Sequence, residues 1–250
     1  MTNNGTDRKK WRNRIMEPTL NNTGFMFKVL DDFAEGFIRF AGESGEPVLE
    51  IGCAFGNAAI PALEAGGLVT ACDPEQRHLD ILEAKTPVEL RARLTCIRGQ
   101  LPYLEMPAAE FGAILCSRVL HFLDGSAIDA SVRKMYEWLK PGGRLYLVAD
   151  TPYGIWRKLV PIFEAKKQRG DRWPGVMIGL ENYLPFLPAD RSLDGPPFMN
   201  LLDPDLLSRT CTEAGFGVET ARFIDRSDFG GLGRMDGREN TGLLAHKPHC

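Results

Sequence analysis

The sequence predicts an α/β fold: a doubly wound, mostly parallel sheet of seven strands with helices on both faces and an insertion after the fifth strand. From residue 47, short apolar runs alternate with stretches in which apolar residues recur at helical spacing. This rhythm stops at residue 151 and resumes near residue 203. A chain of 250 residues is long enough to bury the core of one such domain, so a single domain over 1–250 is expected.

The elements up to residue 150 are predicted in the order strand, helix, strand, helix, strand, strand, helix, strand. They fall in segments 47–52, 57–66, 68–73, 78–86, 93–99, 111–120, 127–143 and 144–150. The segment 127–143 is predicted to be a helix that stops at its closing glycine pair. Because strands alternate with helices, most strands are expected to run parallel.

Residues 151–200 break the pattern and are rich in proline, glycine and aromatic residues. We expect a helix broken near Pro161 and an insertion that covers the carboxyl ends of the strands, as a lid or pocket wall or as a second small core. A helix over 203–216, opened by an Asp cap and a proline, and two strands over 217–224 and 241–248 are expected to close the fold. Residues 1–44 are predicted to form a helical cap segment.

Composition excludes several classes of protein. The formal net charge is -3, and no run of lysine and arginine forms a strongly basic surface, which argues against a nucleic-acid partner. No apolar stretch of signal-peptide or membrane-span length follows the polar start, so a soluble, cytoplasmic protein without a membrane partner is expected. The six cysteines form no C-x-x-C pair and predict no metal site. The sequence does not indicate an oligomeric state.

The stretch "LEIGCAFG", residues 49–56, is typical of a strand that turns into a helix around a ligand. Gly52 and Gly56 allow the backbone to approach a ligand closely. A dinucleotide fingerprint would need further glycines where this chain has Ala54 and Asn57. The carboxylate of Glu50 would also repel a pyrophosphate, so a ligand with an ammonium group fits better.

Asp73 ends the second strand, 21 residues after Gly52. An acid in this place can accept the hydroxyl groups of a ribose, in NAD or in another nucleoside. An ammonium-seeking Glu50 together with a ribose-binding Asp73 describes a nucleoside joined to an amino acid. The predicted ligand is S-adenosylmethionine.

The sequence resembles the class I S-adenosylmethionine-dependent methyltransferases. The motifs that carry the resemblance occur in the family's order and spacing: "VLEIGCAFG", "VTACDPEQ", "RGQLPYL", "FGAILCSRVLHFL" and "LKPGGRLYLVAD". They cover residues 45–150 closely and the final helix and strands loosely. The resemblance implies the Rossmann-like methyltransferase fold, and methyl transfer that leaves S-adenosylhomocysteine as product.

The resemblance also implies which residues contact the cofactor. The implied set is Glu50, Gly52, Cys53, Ala54, Gly56, Asp73, Pro74, Gln100, Ser117, Arg118 and Phe25. Glu50 would anchor the turn and reach the amino group through water, and Asp73 would hold the ribose. Gln100 stands where the family usually has an aspartate beside the adenine amino group, and its carbonyl oxygen can accept the same hydrogen bond. Phe25, with Phe27, resembles an aromatic segment that closes over the cofactor.

The acceptor is predicted to be a small molecule, aromatic or apolar, that is methylated on O, N or S. Amino-methylating relatives that act on adenine, cytosine or glutamine carry an Asn/Asp-Pro-Pro-aromatic motif, which "CSRVLHFL" replaces here. His121 is the candidate base or acceptor-orienting residue, and its alternative role is a hydrogen bond to the backbone at a helix start. Tyr153 is a second candidate, as a donor to the acceptor or as a base.

Aromatic residues of the insertion offer flat surface for such an acceptor, with core packing as the equal alternative. They are Trp156, Trp173, Tyr183, Phe186 and Phe198. The glycine-rich stretch 225–242 is predicted to be a long hairpin loop near the pocket mouth. Arg234 or Arg238 could meet an anionic substrate there, although an ordinary solvated turn is the simpler interpretation.

Three rival functions remain open from the sequence. A protein or RNA methyltransferase would need an open, charged docking surface. A non-catalytic S-adenosylmethionine-binding module would keep the same glycine turn. A nucleotide-dependent dehydrogenase is disfavoured by the glycine spacing.

Overall fold

The computed structural model describes residues 15–21, 24–179, 198–229 and 236–249. Its strands are β1 Met16–Pro18, β2 Phe25–Phe27, β3 Pro47–Ile51, β4 Leu68–Asp73, β5 Leu94–Arg98, β6 Phe111–Ser117, β7 Leu139–Asp150, β8 Val176–Ile178, β9 Phe198–Asn200, β10 Gly217–Ile224 and β11 Asn240–His246. Its α-helices are α1 Asp32–Ser44, α2 Ala59–Glu64, α3 Gln76–Lys85, α4 Gly125–Trp138, α5 Val160–Gln168 and α6 Pro204–Glu213.

The central sheet has seven strands in the order β10-β11-β7-β6-β3-β4-β5. β11 runs antiparallel to both of its neighbours, and the remaining pairs are parallel. The predicted doubly wound, mostly parallel sheet of seven strands is therefore confirmed. Two short antiparallel pairs, β1-β2 and β8-β9, lie outside it.

Two apolar clusters pack on opposite faces of the sheet, which follows from the alternation of side chains along each strand. In β3, Leu49 belongs to the cluster that includes residues of α4, α5 and α6. Its neighbour Val48 belongs to the cluster formed with α1, α2 and α3. Both side chains are fully buried, as expected for a central parallel strand. The molecule thus has three layers, with the sheet in the middle.

Two predicted helix boundaries are wrong. α4 ends at Trp138 rather than at the glycine pair, because Leu139 already has the extended backbone that starts β7. Gly142 lies within β7, where its N–H donates to the carbonyl of Lys247 (2.7 Å). Pro161 does not break a helix, since it lies in the first turn of α5, where a missing N–H leaves no bond unmade.

The predicted ending of the chain is confirmed. Asp203 caps α6 by accepting a hydrogen bond from the N–H of Leu206 (2.9 Å), and Pro204 begins the helix. β10 and β11 form the predicted antiparallel hairpin.

The N-terminal segment departs from its prediction. It holds the strand pair β1-β2 before α1, so its described residues are not helical throughout. Thr19 closes this hairpin, because its hydroxyl donates to the carbonyl of Gly24 (3.0 Å). Of the segment 151–200, the structure describes residues 151–179, which include α5 and β8, and residues 198–200, which form β9. Residues 180–197 lie outside the described residues. Among the described helices, none is long and apolar enough to cross a membrane.

Candidate cofactor and acceptor site

The candidate site lies at the carboxyl edge of the sheet, where the strand order changes direction. β3 pairs with β4 on one side and with β6 on the other. The connections that leave these strands diverge to opposite faces, which opens a crevice at their ends. Glu50, Asp73 and Ser117 are at or near these strand ends, so most predicted cofactor residues are gathered at one edge.

The glycine turn between β3 and α2 has a left-handed backbone at three positions. The φ angles are +75° at Gly52, +42° at Ala54 and +84° at Gly56. A Cβ on Gly52 would lie 2.3 Å from Cγ2 of Val119, and one on Gly56 would lie 2.3 Å from Cδ1 of Leu82. Conformation and packing therefore both favour glycine at residues 52 and 56. Close approach of the turn to a ligand stays a prediction.

Asp73 is 4% exposed and its carboxylate faces the glycine turn. Its Oδ2 accepts the N–H of Ala54 (2.9 Å), and its Oδ1 accepts the N–H of Glu75 (2.9 Å). His78 Nδ1 also lies 2.9 Å from Oδ1. A carboxylate offers about four acceptor positions, so one position on Oδ2 remains for a further donor such as a hydroxyl group.

Glu50 is buried at the end of β3, and its Oε2 has no hydrogen-bond partner among the described residues. The pKa of this carboxyl group is raised to about 8. Burial is the largest cause, the N–H of Ala59 acts in the opposite direction, and the nearby charge of Asp73 adds to the increase. A buried carboxylate oxygen without a partner is destabilising unless a ligand or water supplies a donor. An ammonium group fits this position, so the residues present suit the amino end of S-adenosylmethionine.

Arg118 follows β6 directly and has a positive φ of +58°. Its guanidinium donates to Asp31 Oδ2 (3.3 Å), Ser117 Oγ (3.2 Å) and Asn240 Oδ1 (3.1 Å). It lies 4.4 Å from the ring centroid of Phe27. Its buried Nε has no partner among the described residues, and burial lowers its pKa. An anionic group would satisfy this atom.

The other predicted cofactor residues have simpler surroundings. Gln100 and Pro74 are exposed, and the N–H of Gly99 donates to the Asp73 carbonyl (3.1 Å), which holds the two loops together. Cys53 is buried, and burial raises the pKa of its thiol well above the ordinary value. Phe25 is half-buried in β2.

His121 bonds to the backbone, as its alternative interpretation predicted. Its Nδ1 accepts the N–H of Asp150 (3.1 Å), so Nε2 carries the hydrogen of the neutral ring. The side chain is 2% exposed, and burial lowers its pKa. In this arrangement the ring can donate through Nε2–H but has no free lone pair, which does not suit a general base. An acceptor-orienting role stays a prediction.

Tyr153 does not fit the role of a base. Its hydroxyl donates to the carboxylate of Glu164. Burial and this contact raise its pKa well above 10, so the phenolate is strongly disfavoured. Its ring packs edge-on against Phe163 and Phe223, with centroids 6.1 and 5.5 Å away. The residue belongs to a group of buried apolar side chains, the apolar wall, with Trp156, Phe163, Met177 and Met199.

The remaining predicted acceptor residues are only partly described. Trp156 is buried in the core and donates through Nε1 to Asp150 Oδ2 (3.3 Å). Trp173 is partly buried against the same apolar cluster, with the Arg209 guanidinium 4.9 Å from its ring. Arg238 pairs with Asp236 and lies 3.9 Å from the ring centroid of Tyr153. Tyr183, Phe186, Arg234 and the side chain of Phe198 lie outside the described residues.

Sequence reasoning missed polar residues that complete the site. Asp150 ends β7, and its Oδ1 accepts Asn240 Nδ2 (2.9 Å). The position of Asp150 at a strand end was the available signal, the same that identified Asp73. His78 and Asp31 reach the site from helix starts, and no sequence signal marked them, because only the fold brings them to it.

Comparison with known proteins gives the class of the chain. Residues 48–143 match the family described as a methyltransferase domain. This match covers less than half of the chain. Together with the sheet order and the relatives below, it supports a class I S-adenosylmethionine-dependent methyltransferase whose cofactor is S-adenosylmethionine.

Several known proteins are similar to it. A ubiquinone biosynthesis O-methyltransferase of Chromobacterium violaceum is 26% identical over 188 residues, which is 73% of this chain and 69% of that protein. A cypemycin N-terminal methyltransferase of a Streptomyces species is 31% identical over 110 residues, which is 43% of each chain. A glycopeptide N-methyltransferase crystallised with S-adenosylmethionine superposes with a TM-score of 0.56 and 20% identity, over 86% of this chain and 92% of that one.

Proposed function

We propose that this methyltransferase acts on a small, aromatic or apolar acceptor, which it methylates on O, N or S by in-line displacement. The observation that carries the proposal is the apolar wall behind the carboxyl edge of the sheet. Tyr153, Trp156, Phe163, Met177 and Met199 are all buried in the cluster on that face. Similarity to the ubiquinone biosynthesis O-methyltransferase of Chromobacterium violaceum, whose name implies a quinone-related acceptor, supports the proposal.

The cofactor site is proposed to bind the amino-acid end of S-adenosylmethionine between two buried charges. Glu50 Oε2 would accept from the ammonium group, and Arg118 Nε would donate to the carboxylate. Both atoms are buried and without partners among the described residues, and their strands are neighbours in the sheet. Asp73 Oδ2 would accept from a ribose hydroxyl.

The chemistry needs little from protein side chains. S-adenosylmethionine supplies a methyl group that its sulfonium already activates. The residues of the chain then have to hold the acceptor in line and exclude water, and positioning of this kind can lower a barrier by ~7–11 kcal/mol. His121 is proposed to orient the acceptor by donating from Nε2–H. Tyr153 contributes apolar surface.

A peptide amine is the second candidate acceptor. The similarity to a cypemycin N-terminal methyltransferase and to a glycopeptide N-methyltransferase favours it. Glu164 lies at the end of the apolar wall, where its carboxylate accepts from Tyr153, and it could also face a cationic amine. A peptide would extend beyond the wall, whereas a quinone-sized phenol would not.

The test is a methyl-transfer assay with labelled S-adenosylmethionine and three acceptor sets: catechols and hydroquinones, thiols and nitrogen heterocycles, and short peptides with free N-termini. We expect transfer to a member of the first two sets, and its loss in Asp73→Asn, which should not bind the cofactor. Gln76→Ala, an exposed change on α3, is the matched control. Transfer to peptides alone would establish the second candidate.

A further inference from the structure

His78 is a buried histidine at the start of α3 that the proposed methyl transfer does not use. Its side chain is 1% exposed. Its ring packs edge-on against Phe55 of the glycine turn, with centroids 5.0 Å apart. The ring therefore packs against the glycine turn and is held in one orientation.

Both ring nitrogens of His78 have partners. Nε2 lies 2.9 Å from the backbone nitrogen of Leu20, and Nδ1 lies 2.9 Å from Asp73 Oδ1. The Leu20 N–H can only donate, so Nε2 must be the acceptor. Nδ1 then carries the hydrogen and donates it to the carboxylate. The contacts thus define one tautomer of the neutral ring.

These two bonds connect the N-terminal hairpin, residues 15–21 and 24–28, to the cofactor-binding carboxylate. The hairpin has other contacts with the same region. Arg77 Nη2 donates to the Leu20 carbonyl (3.0 Å), and Asn57 Nδ2 in the glycine turn donates to the Phe27 carbonyl (2.8 Å). The hairpin is therefore attached at Leu20 to α3, which follows the predicted cofactor residue Asp73, and at Phe27 to the glycine turn.

We propose that His78 is a positioning residue: it holds Asp73 Oδ1 so that Oδ2 faces the ribose, and through Leu20 it makes docking of the N-terminal hairpin and binding of cofactor cooperative. The inference rests on the proposed role of Asp73 in binding ribose. The N–H of Glu75 and the ring of His78 occupy Oδ1, so rotation of the carboxylate would break both bonds. The coupling is reciprocal, so a bound cofactor stabilises the docked hairpin as much as the hairpin favours the cofactor.

Two substitutions separate the two bonds. In His78→Asn the amide nitrogen takes the place of Nδ1, so the donor to Asp73 is kept and the acceptor for Leu20 is lost. In His78→Gln the amide oxygen takes the place of Nε2, so the acceptor for Leu20 is kept and the donor to Asp73 is lost. Gln76→Ala is the matched control, because Gln76 is exposed on the same helix and bonds only to Asp80 among the contacts described.

The measurements are the affinity for S-adenosylhomocysteine by calorimetry and the hydrogen-exchange rate of the Leu20 amide. We expect His78→Gln to bind about tenfold more weakly, since a hydrogen bond to a charged group is lost, while Leu20 stays protected. We expect His78→Asn to bind within about threefold of the parent, while Leu20 exchanges about tenfold faster. S-adenosylhomocysteine should slow Leu20 exchange in the parent protein and in Gln76→Ala, but in neither His78 variant.

A measurement on the unchanged protein covers the case in which a variant does not fold. Long-range ¹H–¹⁵N spectra of the cofactor-free protein should show the Nδ1–H tautomer of His78. An Nε2–H tautomer, or equal affinity in both His78 variants and the parent, would overturn the inference. If the parent itself does not bind S-adenosylhomocysteine, the proposed cofactor site fails instead, and the tautomer still reports on the contacts of His78.

Discussion

At the scale of single residues, the site is built from ionisable groups that the fold buries before any ligand arrives. Glu50 and Arg118 each keep one buried polar atom without a partner among the described residues. Burial of this kind destabilises the free protein, because each group has given up water. A zwitterionic ligand supplies a partner to both atoms at once. Relief of this desolvation penalty therefore contributes to the free energy of ligand binding.

Glu50→Gln tests the cost of burying an ionisable group at one of these two residues. Because the pKa of Glu50 is raised from its ordinary value of 4.5 to about 8, its contribution to stability is present below pH 4.5 and is lost as the pH rises through 8. A glutamine does not titrate, so the cofactor-free variant should gain stability over the parent by about 2 kcal/mol between pH 6 and pH 8.

The measurement for Glu50→Gln is urea unfolding of both proteins at the two pH values, with S-adenosylhomocysteine affinity measured in parallel. Affinity should fall at least about tenfold, since the ammonium loses a charged partner. A stability difference that does not change with pH would show that Glu50 is already ionised in the free protein.

At the scale of elements, the turn between β3 and α2 combines left-handed backbone with tight packing. Gly56 has a positive φ and faces Leu82, which is fully buried in α3. Gly45, at the end of α1, has a similar φ of +67° but nothing within 4 Å of the place of its Cβ. The two glycines therefore share a conformational requirement and differ in packing.

Gly56→Ala should destabilise the protein by about 2–5 kcal/mol, from left-handed strain of about 1–2 kcal/mol and overpacking of about 1–3 kcal/mol. Gly45→Ala carries the first contribution alone and should destabilise it by about 1–2 kcal/mol. Denaturant midpoints of the two variants at constant slope measure the difference. Equal effects would mean that Leu82 moves aside and that only the backbone requires glycine at residue 56.

At the scale of the whole molecule, the cofactor site joins parts of the chain that are far apart in sequence. Asp31, before α1, pairs with Arg118 after β6, and Arg118 also bonds to Asn240 at the start of β11. Arg226, after β10, lies 3.6 Å from the same Asp31 carboxylate. Ligand binding at this point should therefore stabilise the entire domain.

A thermal-shift titration measures that stabilisation. S-adenosylhomocysteine at 100 times its Kd should add ~2.7 kcal/mol to the free energy of unfolding, which corresponds to a rise in Tm of about 5–10 °C for a chain of this size. NAD⁺ at the same concentration is the control and should give no shift. A shift with NAD⁺ alone would contradict the assigned cofactor.

The sequence alone predicted the sheet, most of its elements and the cofactor, because these depend on local patterns: apolar runs, the glycine turn and acids at strand ends. It placed two helix boundaries wrongly, at Trp138 and at Pro161, since the chain enters β7 before its glycines and the proline begins a helix. Within the predicted helical cap segment 1–44, α1 is a helix, but a hairpin precedes it, because pairing between residues 16–18 and 25–27 is not visible as a helical or apolar period.

Only the tertiary structure decided the chemical state of the site. Whether Glu50 and Arg118 keep unpartnered atoms depends on burial by several elements, and whether His121 and Tyr153 can act as bases depends on partners at Asp150 and Glu164. The role of His78 depends on Leu20, which lies 58 residues away. Local patterns determine which elements form, whereas hydrogen bonding and desolvation between distant residues determine protonation and orientation, and these exist only in the folded chain.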